Sequence, residues 1–199
     1  MKTSFSLIDA LKSQLPIDEV AKQLDQLSHE DRLKQSRSIG PRYQKQLWQM
    51  CQERPTQIDH FVPPHLPPLT PVRHFGRNTL PLFKFFEKRF MRPDPQSVEL
   101  WGYNEGKTRP FIGPGYFVCK ATPNDVRGEL VIDYTDLPPS TPPGWPPLKP
   151  NEAGLSRFVY AGMNDFMRQV SQHVTIGRAY IKGKESPNYF TLCRWDESE

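Results

Sequence analysis

Arg178 interrupts an otherwise apolar strand face between Ile176 and Tyr180, and Arg157 lies three residues before Tyr160. A guanidinium held against apolar surface needs a partner, either an internal carboxylate such as Asp133 or an anionic group on a ligand. Tyr116, Tyr160 and Tyr180 add rings with polar tips, the side-chain type that lines sites for partly apolar molecules. Trp145 is the one aromatic residue of the run LPPSTPPGWPPLKP, Leu137 to Pro150. It is either the lid contact of such a site or a pin holding the run to the surface. These six residues are the candidate ligand-binding set.

Other chemistry is thinly represented. Asp133 beside Tyr134 is a possible general base if desolvated, and His173 a possible acid or base, but no nucleophile accompanies either. Gly102 to Thr108 resembles a phosphate-binding loop and fails twice. Three residues instead of four separate the glycines, and Arg109-Pro110 follows where a helix should open. Phe111 to Gly115 has two glycines with no serine between them, which is a bend and not a nucleophile elbow. The five histidines, His29, His60, His65, His74 and His173, lack the paired spacing of a metal site. Cys51, Cys119 and Cys193 are odd in number and far apart, which argues against a disulfide framework or zinc knuckle and for a reducing, cytoplasmic setting.

The elements that would position these residues read as follows. Thr3 to Gln52 has helical periodicity. Phe5, Ile8, Leu11 and Leu15 form one stripe, and Ile17, Val20, Ala21, Leu24 and Leu27 form another opened by Pro16. Ser28 with Asp31 caps a third helix, interrupted at Gly40-Pro41 before Tyr43, Leu47, Trp48 and Cys51 resume the apolar face. Arg54 to Pro71 is proline-rich and extended, with a short match at Pro68 to Arg73 to the proline-rich motifs that dock on aromatic grooves. Thr79 then caps a helix to about Met91, with Leu82, Phe83, Phe86 and Phe90 on one face. The six Lys and Arg residues from Arg73 to Arg92 also allow a basic amphipathic surface, but so many phenylalanines are costly to expose.

Gly115 to Ala121 and Glu129 to Thr135 are strands of a hairpin turned by Pro123, Asn124, Asp125 and Gly128. Val98 to Asn104, His173 to Ile181 and Asn188 to Trp195 are three more strands, and Thr175, Gly177 and Ala179 leave one face of the fourth of these five unusually small. Leu155 to Val170 reads as the longest helix, with Phe158, Val159, Gly162, Met163, Phe166 and Val170 as its stripe. The acidic end Asp196 to Glu199 reads as solvated.

The resulting expectation is an α+β fold: a curved antiparallel sheet of about five strands packed by the Leu155 helix, preceded by a small N-terminal helical region. The domain reading is 1–54 helical region, 55–78 proline-rich connector and 79–199 α+β domain. With 199 residues, 36% apolar and 24% charged, the chain has the composition of a soluble protein, and the 22 prolines mark its boundaries. A net charge of +4 spread along the chain argues against nucleic acid as a partner, and no apolar stretch is long enough to span a membrane. Function then points to non-catalytic binding of a small, partly apolar and anionic molecule between sheet and helix. Two readings stand beside it: a protein-interaction or self-association module using the proline-rich runs and N-terminal helices, and an enzyme on the same scaffold. No cofactor is indicated.

Overall fold

The structure is a computed structural model that describes residues 5–80, 84–107 and 109–195. Four helices come first: α1 (Leu7–Lys12), α2 (Ile17–Asp25), α3 (His29–Ser36) and α4 (Pro41–Met50). The Ser6 and Ser28 side chains cap α1 and α3 by accepting from the Asp9 and Asp31 amides. A short α5 (Ile58–Phe61) follows, and then eight strands: β1 (Val72–Asn78), β2 (Phe85–Met91), β3 (Glu99–Glu105), β4 (Phe117–Ala121), β5 (Leu130–Asp133), β6 (Met163–Gln169), β7 (Val174–Ile181) and β8 (Lys184–Trp195). Each strand pairs antiparallel with the next, and β8 returns to β1, closing the barrel. Closure satisfies both edges that an open sheet would leave unpaired.

The α+β expectation is therefore overturned: the sheet is closed and has eight strands, and no long helix lies on it. Two segments account for most of the difference. Phe85–Met91 is a strand whose Phe86, Lys88 and Phe90 point inward with a period of two; Phe86 and Phe90 alone, four residues apart, also fit one side of a helix, which would turn Lys88 to the other. Met163–Gln169 is a strand covered on both sides, Met163, Asp165 and Met167 inside and Phe166 outside, so Phe166 and Met167 fall on consecutive positions and the segment carries no clear period. Gly162 precedes it at φ +68°, a left-handed conformation that no α-helix passes through, and the expected helix contracts to a single 3-10 turn at Ser156–Phe158. Val72–Asn78, in the stretch read as connector, supplies the remaining strand. Leu82, Phe83 and the acidic tail lie outside the described residues.

Three cross-strand glycine–phenylalanine pairs line the barrel interior. Gly76 faces Phe86, Gly102 faces Phe117 and Gly177 faces Phe190. A Cβ on any of these glycines would sit 2.2–2.4 Å from the partner ring. Each ring lies where a side chain would otherwise stand, so the small face read at Thr175, Gly177 and Ala179 is taken up by Phe190. The outer wall of β7 and β8 is covered by the N-terminal helices. Leu7, Leu11, Val20, Leu24, Leu47 and Trp48 bury their stripes there with Val174, Ile176, Tyr189 and Cys193. Those apolar helix faces are thus used within the chain.

Candidate functional site

Loops alternate between two ends of the barrel. The end bearing the β2–β3, β4–β5 and β6–β7 connections is sealed by α5. Phe61 is fully buried there, stacked at 5.3 Å on His74 and 5.0 Å from Phe90, and its carbonyl lies 2.9 Å from His74 Nε2. Arg92 ties the plug down by donating to the Val62 carbonyl at 3.2 Å and to Asp59 at 2.6 Å.

The opposite end carries the long segment from Tyr134 to Gly162. Asn151 Nδ2 donates to the carbonyls of both Tyr116 and Tyr134 at 2.8 Å, fixing the segment to β4 and β5. Ser156 Oγ donates to the Ile112 carbonyl, joining it to α6 (Arg109–Ile112). The Tyr160 ring then lies over the opening, parallel to Tyr134 within 11° at 5.2 Å. Gly115 makes that position possible: a Cβ there would be 2.4 Å from Tyr160 Cζ. Among the described residues the Tyr160 hydroxyl makes no hydrogen bond.

Beneath Tyr160 the apolar interior holds a group of polar side chains from β2, β3 and β6 and from Tyr134, the residue that follows β5. Lys88 is 3% exposed and Asp165 is 2% exposed. Lys88 Nζ donates to Asn104 Oδ1 at 3.0 Å, to Asp165 Oδ2 at 3.4 Å and to the Tyr134 hydroxyl. The rings of Phe86, Phe117, Tyr134 and Phe190 surround it at 4.8–5.4 Å. Asn104 is oriented by its Nδ2, which donates to the Gly115 carbonyl at 3.0 Å.

An ammonium has three donors, and all three are used here. Asp165 is left with one oxygen, Oδ1, that is buried and has no hydrogen-bond partner. Burial pushes the Lys88 amine down and the Asp165 carboxyl up from their ordinary values, each opposed by the other's charge. Burial, together with the Asp165 charge, also raises the Tyr134 hydroxyl well above its usual range.

The six residues read from the sequence are distributed over three places. Tyr160 alone reaches the buried group. Tyr116 and Trp145 pack outside the barrel with Tyr103, whose ring is 4.8 Å from Trp145, so Trp145 pins the proline-rich run against β3 and β4. Arg178 and Tyr180 lie on the outer wall of β7, where Arg178 donates to Glu185 at 2.8 Å and to the Ser186 carbonyl at 3.2 Å. Arg157 is exposed, its guanidinium 4.7 Å from the Phe158 ring. Asp133 pairs with Lys120 at 3.3 Å; burial raises it, but bonds from Thr135 and Lys120 leave it below its ordinary value.

Lys88 and Asp165 were missed for opposite reasons. Lys88 reads as the water-facing side of a helix once Phe86–Phe90 is taken as helical. Asp165 lies inside an apolar run read as helix, and its signal was a single acid between Met163 and Met167 at strand spacing. Two cavities, of about 510 and 480 Å³, lie outside the barrel, one among the N-terminal helices at Leu11, Tyr43 and Met50, the other beside the plug at Asp59, His60 and Arg194. No group of three or more His, Cys, Asp or Glu side chains suited to a metal ion occurs among the described residues, and none of their helices is long and apolar enough to cross a membrane. Comparison with protein-family models, curated proteins and solved structures finds no match to this chain.

Proposed function

We propose that the chain is a binding protein for one small, largely apolar molecule that carries a hydrogen-bond donor and is held in the barrel beneath Tyr160. Eight strands enclose a volume that side chains fill or that admits one small ligand. The observation that carries the reading is the orphaned Asp165 Oδ1 in an aromatic interior. A buried carboxylate oxygen without a donor is costly, and a ligand hydroxyl or amine would complete it. An anionic ligand is disfavoured at this point, because every Lys88 donor already has an acceptor and the next atom an anion would meet is a carboxylate. Tyr160 is the element that must yield, since its ring is held at the opening by ring contacts.

The test is native mass spectrometry of gently purified protein against its denatured mass, followed by thermal stabilisation with a panel of long-chain alcohols, amines and the matching hydrocarbons. Excess mass lost on denaturation, or stabilisation by alcohols or amines over the hydrocarbons, is expected. An unliganded mass together with no stabilisation across the panel would refute the reading.

A further inference from the structure

Eight large apolar side chains are exposed among the described residues, and five of them, Phe85, Phe111, Leu155, Phe158 and Ile181, belong to the Tyr160 end of the barrel. Phe111 is 77% and Phe158 74% exposed, which for side chains of that size costs more than chance placement of isolated apolar residues explains. They stand on separate segments drawn together around the opening. The Ser156–Ile112 hydrogen bond joins the turn carrying Leu155 and Phe158 to α6, which carries Phe111. Gly162 lies against the Lys182 side chain, and the Lys182 amide donates to the Gly162 carbonyl at 2.7 Å, bringing the β7–β8 turn beside the same segment.

Charge is uneven around these residues. Lys107, Arg157, Lys182 and Lys184 are exposed and form no ion pair among the described residues, whereas the acids Glu105 and Glu185 are taken by Arg109 and Arg178, leaving Glu152 as an exposed acid of the same segment that offsets one of the four cations. At the plugged end Arg127 pairs with Asp125 and Arg92 with Asp59, and the exposed charges without an ion pair include the acids Asp94 and Glu129.

We infer that the Tyr160 end of the barrel docks on an anionic lipid bilayer, with Phe111, Leu155 and Phe158 entering the interface and Lys107, Arg157, Lys182 and Lys184 meeting lipid headgroups. Apolar insertion and attraction of cations to anionic lipid reinforce each other in this arrangement. The features favour a bilayer over a folded partner. The side chains project from separate loops around an opening and form no continuous face for shape complementarity, and a fluid surface needs none. The inference stands without the ligand reading, although docking here would place an apolar ligand's source at the opening.

Full-length protein is floated with vesicles of phosphatidylcholine alone and of phosphatidylcholine with phosphatidylserine, at low and high salt. Binding to the anionic vesicles is expected, weakening with salt. Lys182→Glu/Lys184→Glu should lower affinity by about fivefold or more for each charge changed. Phe111→Asp/Phe158→Asp should abolish flotation while leaving the far-ultraviolet circular dichroism and melting unchanged, because both side chains are exposed. Val126→Asp, an exposed apolar site at the plugged end, should bind as the parent does. The inference is overturned by equal or absent binding to the two vesicle types, by normal flotation of the Phe111/Phe158 variant, or by a vesicle-independent dimer that the same variant disperses.

Discussion

At one end of the barrel Phe61 enters from α5 and is locked by His74, Phe90 and Arg92. At the other, the Tyr160 ring stacks on Tyr134 and packs over Gly115 without a side-chain hydrogen bond among the described residues, and covers a buried Lys88–Asp165 pair. Both ends exclude water, but they do so with different bond inventories. The plug joins His74 to the Phe61 carbonyl and Arg92 to the Val62 carbonyl and Asp59, leaving a largely apolar seal. The lidded end keeps charges in an interior that aromatic rings otherwise fill, and it leaves Asp165 Oδ1 unmatched. The second arrangement is the costlier one, because its unmatched atom belongs to a buried carboxylate. On the proposed reading, the contrast separates a structural end from a binding end.

That separation can be broken most forcefully by truncating each end. Phe61→Ala should lower stability by about 3–5 kcal/mol, the ordinary loss for a fully buried phenylalanine, and leave ligand selectivity intact. Lys88→Met should cost a similar ~3–5 kcal/mol, because it strands the Asp165 carboxylate. The two are distinguished by pH. In Lys88→Met the Asp165 carboxyl, already raised by burial, loses the cation that opposed the rise. A carboxyl whose folded value exceeds its unfolded one contributes stability that is present in acid and lost as pH climbs through the folded value. Urea midpoints should therefore show Lys88→Met closer to the parent near the unfolded carboxylate range and further from it at neutral pH, whereas Phe61→Ala should differ from the parent by a constant amount. Lys88→Met/Asp165→Leu should recover most of the loss and yet bind no alcohol or amine. A double variant as unstable as the single one would show that the pair serves folding.

The legibility of the two ends in the sequence differed for physical reasons. The N-terminal helices were readable because Pro16, Ser28 and Pro41 punctuate them and their stripes face one direction. The strands β3, β4, β5, β7 and β8 were readable from β-branched and aromatic residues bounded by turns. β6 was misread because it is covered on both sides, so that Phe166 and Met167 fall on consecutive positions, and β2 because Phe86 and Phe90, four residues apart, match one face of a helix as well as one face of a strand. Without those two strands the sheet could not close, and the inward direction of Lys88 and Asp165 was lost with them. Arg178 and Arg157 were singled out because a charge beside apolar neighbours is conspicuous along the chain, but β7 presents Arg178 outward, where Glu185 and the Ser186 carbonyl meet it. The barrel's closure is a long-range property, set by β1 pairing with β8 more than a hundred residues away.

A smaller perturbation tests whether the shared middle of the barrel isolates the two ends. Gly177→Ala places a methyl against the Phe190 ring, at a position 2.3 Å from Phe190 Cζ, and should cost about 1–3 kcal/mol through overpacking. Phe190 borders Lys88 at 5.3 Å, so its displacement should change ligand affinity as well as stability. Gly76→Ala pushes on Phe86, a second ring 5.4 Å from Lys88, and should behave likewise. A purely thermodynamic effect in both variants, with affinity unchanged, would place the ligand elsewhere.

The last perturbation bears on the lid itself. Removing the Tyr160 ring forfeits an aromatic pair worth about 0.5–1.5 kcal/mol beyond the area that the half-buried ring covers, so Tyr160→Ala should stay folded with a lower melting temperature. Its kinetic effect should be larger than its thermodynamic one. If the ring is the gate, the bound and unbound proteins both lose the same stacking contact, and what falls is the barrier between them. Ligand dissociation followed by stopped flow should accelerate, and association should accelerate with it, leaving affinity nearly constant. Tyr160→Phe keeps the stack and has no hydroxyl hydrogen bond to lose, so it should exchange ligand at the parent's rate. Unchanged rates in Tyr160→Ala would move the entrance away from this end, and the same measurement on Phe61→Ala would show whether the plugged end had opened instead.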